Sequence, residues 1–382
     1  MSDQFRVPCV IMRGGTSKGI YIKANDLPLE QEERDKVILS IFGSPDIRQI
    51  DGIAGADPLT SKLAIIGPST HPQADVDYTF AQVSITDAYV DYSGNCGNIS
   101  AGVAPFAIDE SFVKARQPVT KVCIHNTNTG KLLYSEVQVE EGKAKVSGDC
   151  KIDGVPGTGA PILMDFSGTA GAATGKVLPT GNPVDTIRTS KGDLEVSIVD
   201  VANPCIFVRA EDVQMQGTEV PDVIDGNKEL LDYLEEIRSK CCVIIGMAKT
   251  EAQARTKSPA FPMIAFVTAA SDYQDFSSGE TIRKNEIDFV SRLMFMQVLH
   301  KTYAGTATAC TGAAAKIKGT IVNQIIPDVD NIETIRIGHP AGVIPVVAQV
   351  DGLEVKKAAL IRTARRMMEG YVFVEKVKMA AD

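Results

Sequence analysis

Tyr92-Ser93-Gly94-Asn95-Cys96-Gly97-Asn98-Ile99-Ser100-Ala101-Gly102-Val103-Ala104 is the stretch on which the reading of this chain turns. Gly94 and Gly97 tolerate backbone torsions that other residues resist, so the chain can reverse direction here. The β-prone alternation of Val76 to Tyr92 runs into the turn, and an apolar segment leaves it as far as Ile108. The pattern predicts a strand–turn–helix corner, with about three helical turns over residues 97–108. Cys96 then stands at the helix N-terminus, where unpaired N–H groups and the macrodipole favour anions, a thiolate included. The N–H groups of Gly97 and Asn98, flanked by Asn95, offer a carboxylate a seat beside the thiol. A buried, inert cysteine is the plain alternative. Such a cysteine needs neither the glycines nor the asparagines around it.

Upstream, Phe5 to Met12 and Gly19 to Ile22 read as a hairpin joined by Arg13-Gly14-Gly15-Thr16-Ser17-Lys18-Gly19. The hydroxyls of Thr16 and Ser17 and the charge of Lys18 suit carboxylate or phosphate oxygens, although the stretch is not a P-loop. Read alone, it is a flexible turn. Asp51 to Ser61 is a loop rich in Gly and Asp, and Leu63 to Ile66 is apolar enough for an inner strand. Lys62 stands where loop becomes strand, which by itself suggests a solvated strand end. Near the C-terminus, His339 and Gly342 lie in the turn Gly338-His339-Pro340-Ala341-Gly342.

Leu29 to Phe42, Lys228 to Lys240 and Lys284 to His300 read as amphipathic helices. Short strands are expected at 121–125, 132–139, 144–147, 162–166, 194–201, 205–208, 262–268, 332–337, 343–350 and 371–374. Ser167 to Pro183, rich in Gly, Ala, Thr and Pro, is the expected link between two halves. The domains expected are therefore 1–183, completed by a C-terminal strand within 370–382, and 184–369. Thr306 to Ala315 echoes the first motif, with a helix expected to begin near Thr311, and implies an internal duplication. Many short strands with few helices point to an α+β fold, not the regular alternation of a dinucleotide-binding fold.

With 382 residues and a net charge of −9, the chain advertises no basic surface for nucleic acid or anionic lipid. An anionic substrate would need local cations and backbone dipoles. No apolar run approaches membrane-spanning length, and residues 1–6 lack the build of a signal peptide. The eight cysteines have no paired spacing and are expected as reduced thiols in the cytoplasm. Four histidines, without a Cys-x-x-Cys or His-Glu-x-x-His pattern, give no expectation of a metal.

Taken together, Ser93–Asn98, Arg13–Gly19 and Gly338–Gly342 resemble the PrpF family over nearly the whole chain. Ala202-Asn203-Pro204 also resembles a family motif. The resemblance implies the diaminopimelate-epimerase fold, with two similar domains, each a curved mixed sheet around a central helix. It implies Lys62 and Cys96 as the acid–base pair, facing each other across space for a planar substrate. Thr16, Ser17, Lys18, Asn95, Gly97, Asn98, His339 and Gly342 are the candidate substrate-binding residues. The implied reaction is a cofactor-independent proton shift in a small unsaturated di- or tricarboxylate. Conversion of 3-methylitaconate to 2,3-dimethylmaleate leads. The alternatives are 2-methylaconitate isomerisation, 4-oxalomesaconate tautomerisation and two-cysteine amino-acid epimerisation. Ala309-Cys310-Thr311-Gly312 lacks one glycine of the epimerases' Ala-Cys-Gly-Thr-Gly, which weakens the last. A homo-oligomer is the further association considered.

Overall fold

The computed structural model describes residues 3–376. The chain divides into two compact units: the described parts of Met1–Lys151, Gly157–Leu163 and Arg362–Asp382, and Ile152–Pro156 with Met164–Ile361. Residues 164–183, assigned to the first domain from the sequence, lie in the second unit, and residues 362–369 lie in the first. Ala364–Glu375 pairs antiparallel with Gln4–Gly14 and so brings the C-terminal segment into the first unit's sheet. Residues 377–382 of the expected closing strand lie outside the described residues.

Within the first unit, Gln4–Gly14 pairs antiparallel with Ser17–Lys23, which pairs parallel with Lys62–Pro68. Val76–Val83 follows antiparallel, Val119–Asn126 parallel and Lys131–Glu140 antiparallel. The second unit repeats these senses in order. Gly192–Val201 pairs antiparallel with Asn203–Arg209, then Met263–Ala269 parallel, Phe289–Phe295 antiparallel, Thr334–His339 parallel and Gly342–Asp351 antiparallel. The duplication suggested by the sequence is a duplication of strand order.

Each parallel step needs a crossover, and each unit places a helix in both of its crossovers. The first crossovers carry Gln31–Phe42 and Lys228–Ile244. Gly43 ends the earlier of these at φ 72°, where a side chain would meet the backbone of Gly52. Val37, Ile38, Ile41 and Phe42 bury one face of the first helix. Leu230, Leu234, Ile237 and Cys241 do the same for the second against Ile198, Ile206, Ile264 and Phe266.

The second crossovers carry the central helices Gly97–Asp109 and Gly305–Lys316. Residues 97–108 and 305–315 are buried, so each helix is apolar or small on every face. Small residues let strands close in: a Cβ on Gly102 would sit 2.3 Å from the Tyr21 hydroxyl. The molecule is α+β, with a curved mixed sheet around a central helix in each unit.

Two expectations need correction. Lys284 to His300 is not a helix. Lys284 to Asp288 lies outside any helix or strand, and Phe289–Phe295 is a strand buried along its whole length. Covered on both faces, it shows no strict alternation, and its apolar residues at 289, 290, 293 and 294 have a spacing that a helical template also accepts. The second central helix begins at Gly305, not near Thr311. The cysteine was a misleading marker, because the residue before the first helical position is Ala304.

Candidate active site

Lys62 opens the strand Lys62–Pro68 and is 2% exposed. It is not a solvated strand end. Its cross-strand partner is Gln82, and the Lys62 Nζ donates to Gln82 Oε1 at 2.6 Å. Gln82 is itself held by the carbonyls of Pro58 and Ser61 through Nε2. Burial pushes the Lys62 ammonium below its ordinary value, while the charges of Cys96 and Asp57 and a hydrogen bond with Cys96 pull it back up.

Cys96 caps the N-terminal end of the Gly97–Asp109 helix in an extended conformation, as the strand–turn–helix reading expects. Its carbonyl accepts from the backbone N–H and the hydroxyl of Ser100. Asn95 steadies the corner by accepting from the Ser100 hydroxyl at 3.0 Å. Lys62 and Cys96 are neighbours, joined by a side-chain hydrogen bond. The reason lies at Gly19, where a Cβ would be 2.7 Å from Ile99 Cδ1 and 3.0 Å from the Lys62 carbonyl. Its missing side chain lets the first turn of the helix approach Lys62. The Tyr21 hydroxyl, which donates to the Ile99 carbonyl, is pushed well above its usual value by burial and then by the charge of Cys96.

The Gly14–Lys18 turn lies against the same helix start. A Cβ on Gly14 would be 2.4 Å from the Asn98 carbonyl oxygen, and one on Gly15 would be 2.2 Å from Asn98 Oδ1. Asn98 Nδ2 donates to Thr16 Oγ1 at 3.0 Å. The Ser17 hydroxyl is buried and finds no hydrogen-bond partner among the described residues. Lys18 is half-buried, with its Nζ near Gly55. The N–H groups of Gly97 and Asn98 belong to the first turn of a helix, where no intrahelical acceptor exists for them. The structure thus brings together Thr16, Ser17, Asn95, Cys96, Gly97 and Asn98, with Lys62 in contact with Cys96. We predict that Gly14→Ala forces the helix start to move, destabilises the protein by about 1–3 kcal/mol and weakens anion binding. Calorimetric titration and a denaturant midpoint check both, and an unchanged midpoint would count against this close approach.

Sequence reasoning missed Gln82 and Arg362. Gln82 could have been noticed as the polar residue on the strand face that Val76, Tyr78 and Phe80 otherwise line. Nothing distinguishes Arg362 from its neighbours Arg365 and Arg366 in the sequence. Yet Arg362 is 2% exposed, and its Nε donates to Asn98 Oδ1 at 3.1 Å. Burial pushes its guanidinium down to about 9, which still leaves it charged at neutral pH.

His339 and Gly342 belong to the second unit, as the two ends of a hairpin turn. Val343 N–H donates to Asp153 Oδ2 at 2.8 Å, and Tyr273 donates to the Gly342 carbonyl. His339 is buried, with its ring centroid 6.5 Å from that of Tyr303. In this unit Ala304-Gly305-Thr306 occupies the place in the helix that Cys96-Gly97-Asn98 occupies in the first. Thr306 Oγ1 accepts from Asn203 Nδ2 at 2.9 Å, an echo of Asn98 and Thr16. Cys310 is fully buried inside the helix and donates to the Val199 carbonyl.

A family model described as PrpF protein matches residues 4–375. The chain belongs to the PrpF family. Among curated PrpF relatives, the 3-methylitaconate isomerase of Eubacterium barkeri is 78% identical over 379 residues, covering 99% of this chain and 100% of the relative. A crystal structure of methylitaconate-delta-isomerase superimposes with a TM-score of 0.82 at 77% identity, covering 100% of this chain and 98% of the other. The PrpF fold is wider than the family's sequences. A hydroxyproline epimerase from Agrobacterium vitis shares it with a TM-score of 0.57 at 10% identity, covering 98% of this chain and 94% of the other.

Proposed function

We propose that this chain is an isomerase that converts 3-methylitaconate to 2,3-dimethylmaleate by moving a proton across the carbon–carbon double bond. The observation that carries the reading is the buried contact of Lys62 with Cys96 at a helix start lined by Asn98 and Ser17. The extent and level of identity with the Eubacterium barkeri 3-methylitaconate isomerase favours 3-methylitaconate over 2-methylaconitate and 4-oxalomesaconate.

In this reading Lys62, its ammonium disfavoured by burial, is the base that removes the proton from the carbon beside a carboxylate. The electron pair spreads through the adjacent double bond into a dienolate, and Cys96 returns a proton to the methylene carbon, which becomes a methyl group. Charge accumulates on a carboxylate that is already anionic. Donors fixed in advance towards those oxygens therefore supply the main stabilisation. The N–H groups of Gly97 and Asn98, with Thr16 and Ser17, take that role, and Lys18 adds a cation nearby. No electrons pass to or from an acceptor, so the chemistry calls for no redox cofactor.

Proton NMR in deuterated buffer tests the reading with a panel of 3-methylitaconate, 2-methylaconitate, 4-oxalomesaconate and diaminopimelate. The expected result is conversion of 3-methylitaconate with deuterium entering the new methyl group. Preferential exchange at the α-carbon of diaminopimelate would overturn it.

A further inference from the structure

A hydrogen-bonded chain with a fixed direction runs from Arg362 to the Gly14–Lys18 turn. A guanidinium can only donate, so its Nε–H on Asn98 identifies the facing atom as the amide oxygen. The amide nitrogen then points the other way, towards Thr16 Oγ1. Thr16 thus accepts from Asn98, and its own proton is turned away from that amide. Were the amide reversed, Asn98 would take the Thr16 proton and leave lone pairs outward, which repel a carboxylate. The close approach at Gly15, whose Cβ would be 3.1 Å from Arg362 Cδ, places the guanidinium stem directly against the turn. Ser17, the next residue, holds the buried hydroxyl without a partner among the described residues.

We propose that Arg362 is a positioning residue that sets the direction of this chain, so that the turn meets a substrate carboxylate with donors, and that it thereby decides selectivity for an acid over a neutral analogue. The proposal rests on the reading of the turn and helix start as a carboxylate seat.

The experiment compares binding of 3-methylitaconate with that of its dimethyl ester by calorimetric titration, in the unaltered full chain, Arg362→Met and Arg362→Lys. The ratio of the two affinities is taken on one preparation, so a change in folded fraction cancels from it. The unaltered chain is expected to prefer the acid. Arg362→Met should lower the acid-to-ester ratio by roughly ten- to a hundredfold, the scale of a charge-assisted hydrogen bond. Arg362→Lys, which also can only donate, should keep the ratio within about tenfold. If Arg362→Met does not fold, Arg362→Gln replaces it; glutamine can present either a donor or an acceptor, so the ratio should still fall. A ratio unchanged in Arg362→Met or Arg362→Gln overturns the proposal, as does an unaltered chain that binds acid and ester equally. Turnover measured alongside keeps the two readings apart. Acid selectivity that depends on Arg362 without isomerisation would support the role of Arg362 and sink the isomerase.

Discussion

Cys96→Ala and Lys62→Ala should each lower turnover of 3-methylitaconate by at least about a hundredfold, the usual scale for losing general acid–base catalysis. The expectation follows from the site's economy. Lys62 is held by Gln82 on one side and Cys96 on another, deep enough that water is a poor substitute for either. Cys310→Ala should cost much less. Cys310 sits inside its helix with its thiol on the Val199 carbonyl, and Ala304 occupies the helix start. A Cys310→Ala enzyme as inactive as Cys96→Ala would restore the two-cysteine mechanism. The pH profile carries a further check with a definite sign. A base works only in its neutral form, and burial moves the Lys62 ammonium below the ordinary 10.5. The rate should therefore rise with pH, with its midpoint below 10.5, and Lys62→Ala should abolish that rise.

Arg238→Ala should be the most damaging single change to stability. Arg238 on the Lys228–Ile244 helix grips both carboxylate oxygens of Glu235, at 2.6 and 2.7 Å, and also donates to the carbonyls of Ala254, Ser258 and Phe261. Both side chains are under 8% exposed. Removing Arg238 strands a buried carboxylate and takes a donor from the carbonyls of Ala254 and Ser258, while the Phe261 carbonyl keeps the Ser258 hydroxyl, a loss of about 3–5 kcal/mol. Replacing both partners by apolar residues of similar volume should be far milder, because no charge is then left without its counterion. Urea denaturation of the single and double variants tests the contrast. A loss below about 1 kcal/mol for Arg238→Ala would mean that the ion pair is as weak as a surface one.

The helix at Gly97 was legible because three local signals agree there: β alternation before it, glycines at the corner and an apolar run after it. The Thr306–Ala315 region offers no such agreement. Its residues are small throughout, so the helix start at Gly305 depends on the surrounding strands rather than on a local stop or start signal. Lys62 shows the same division. Its position at a loop–strand boundary is local, but its burial comes from Gln82 and the helix start, both distant in sequence. Arg362 was out of reach for a related reason. It meets Asn98 264 residues away in the chain, and no spacing rule connects them. The resemblance to PrpF proteins named Lys62 as a catalytic candidate; the residues that hold such a group in place emerge only from the packing.

The contact between Lys62 and Cys96 also bears on the handedness of the reaction. If both groups work from one side of a flat substrate, the proton leaves and arrives on a single face, a suprafacial course. In the two-cysteine arrangement the groups flank the carbon and the proton enters opposite to where it left. With a methyl group at Ala304 where the first unit has a thiol, the fold is doubled but the cysteine at the helix start is not.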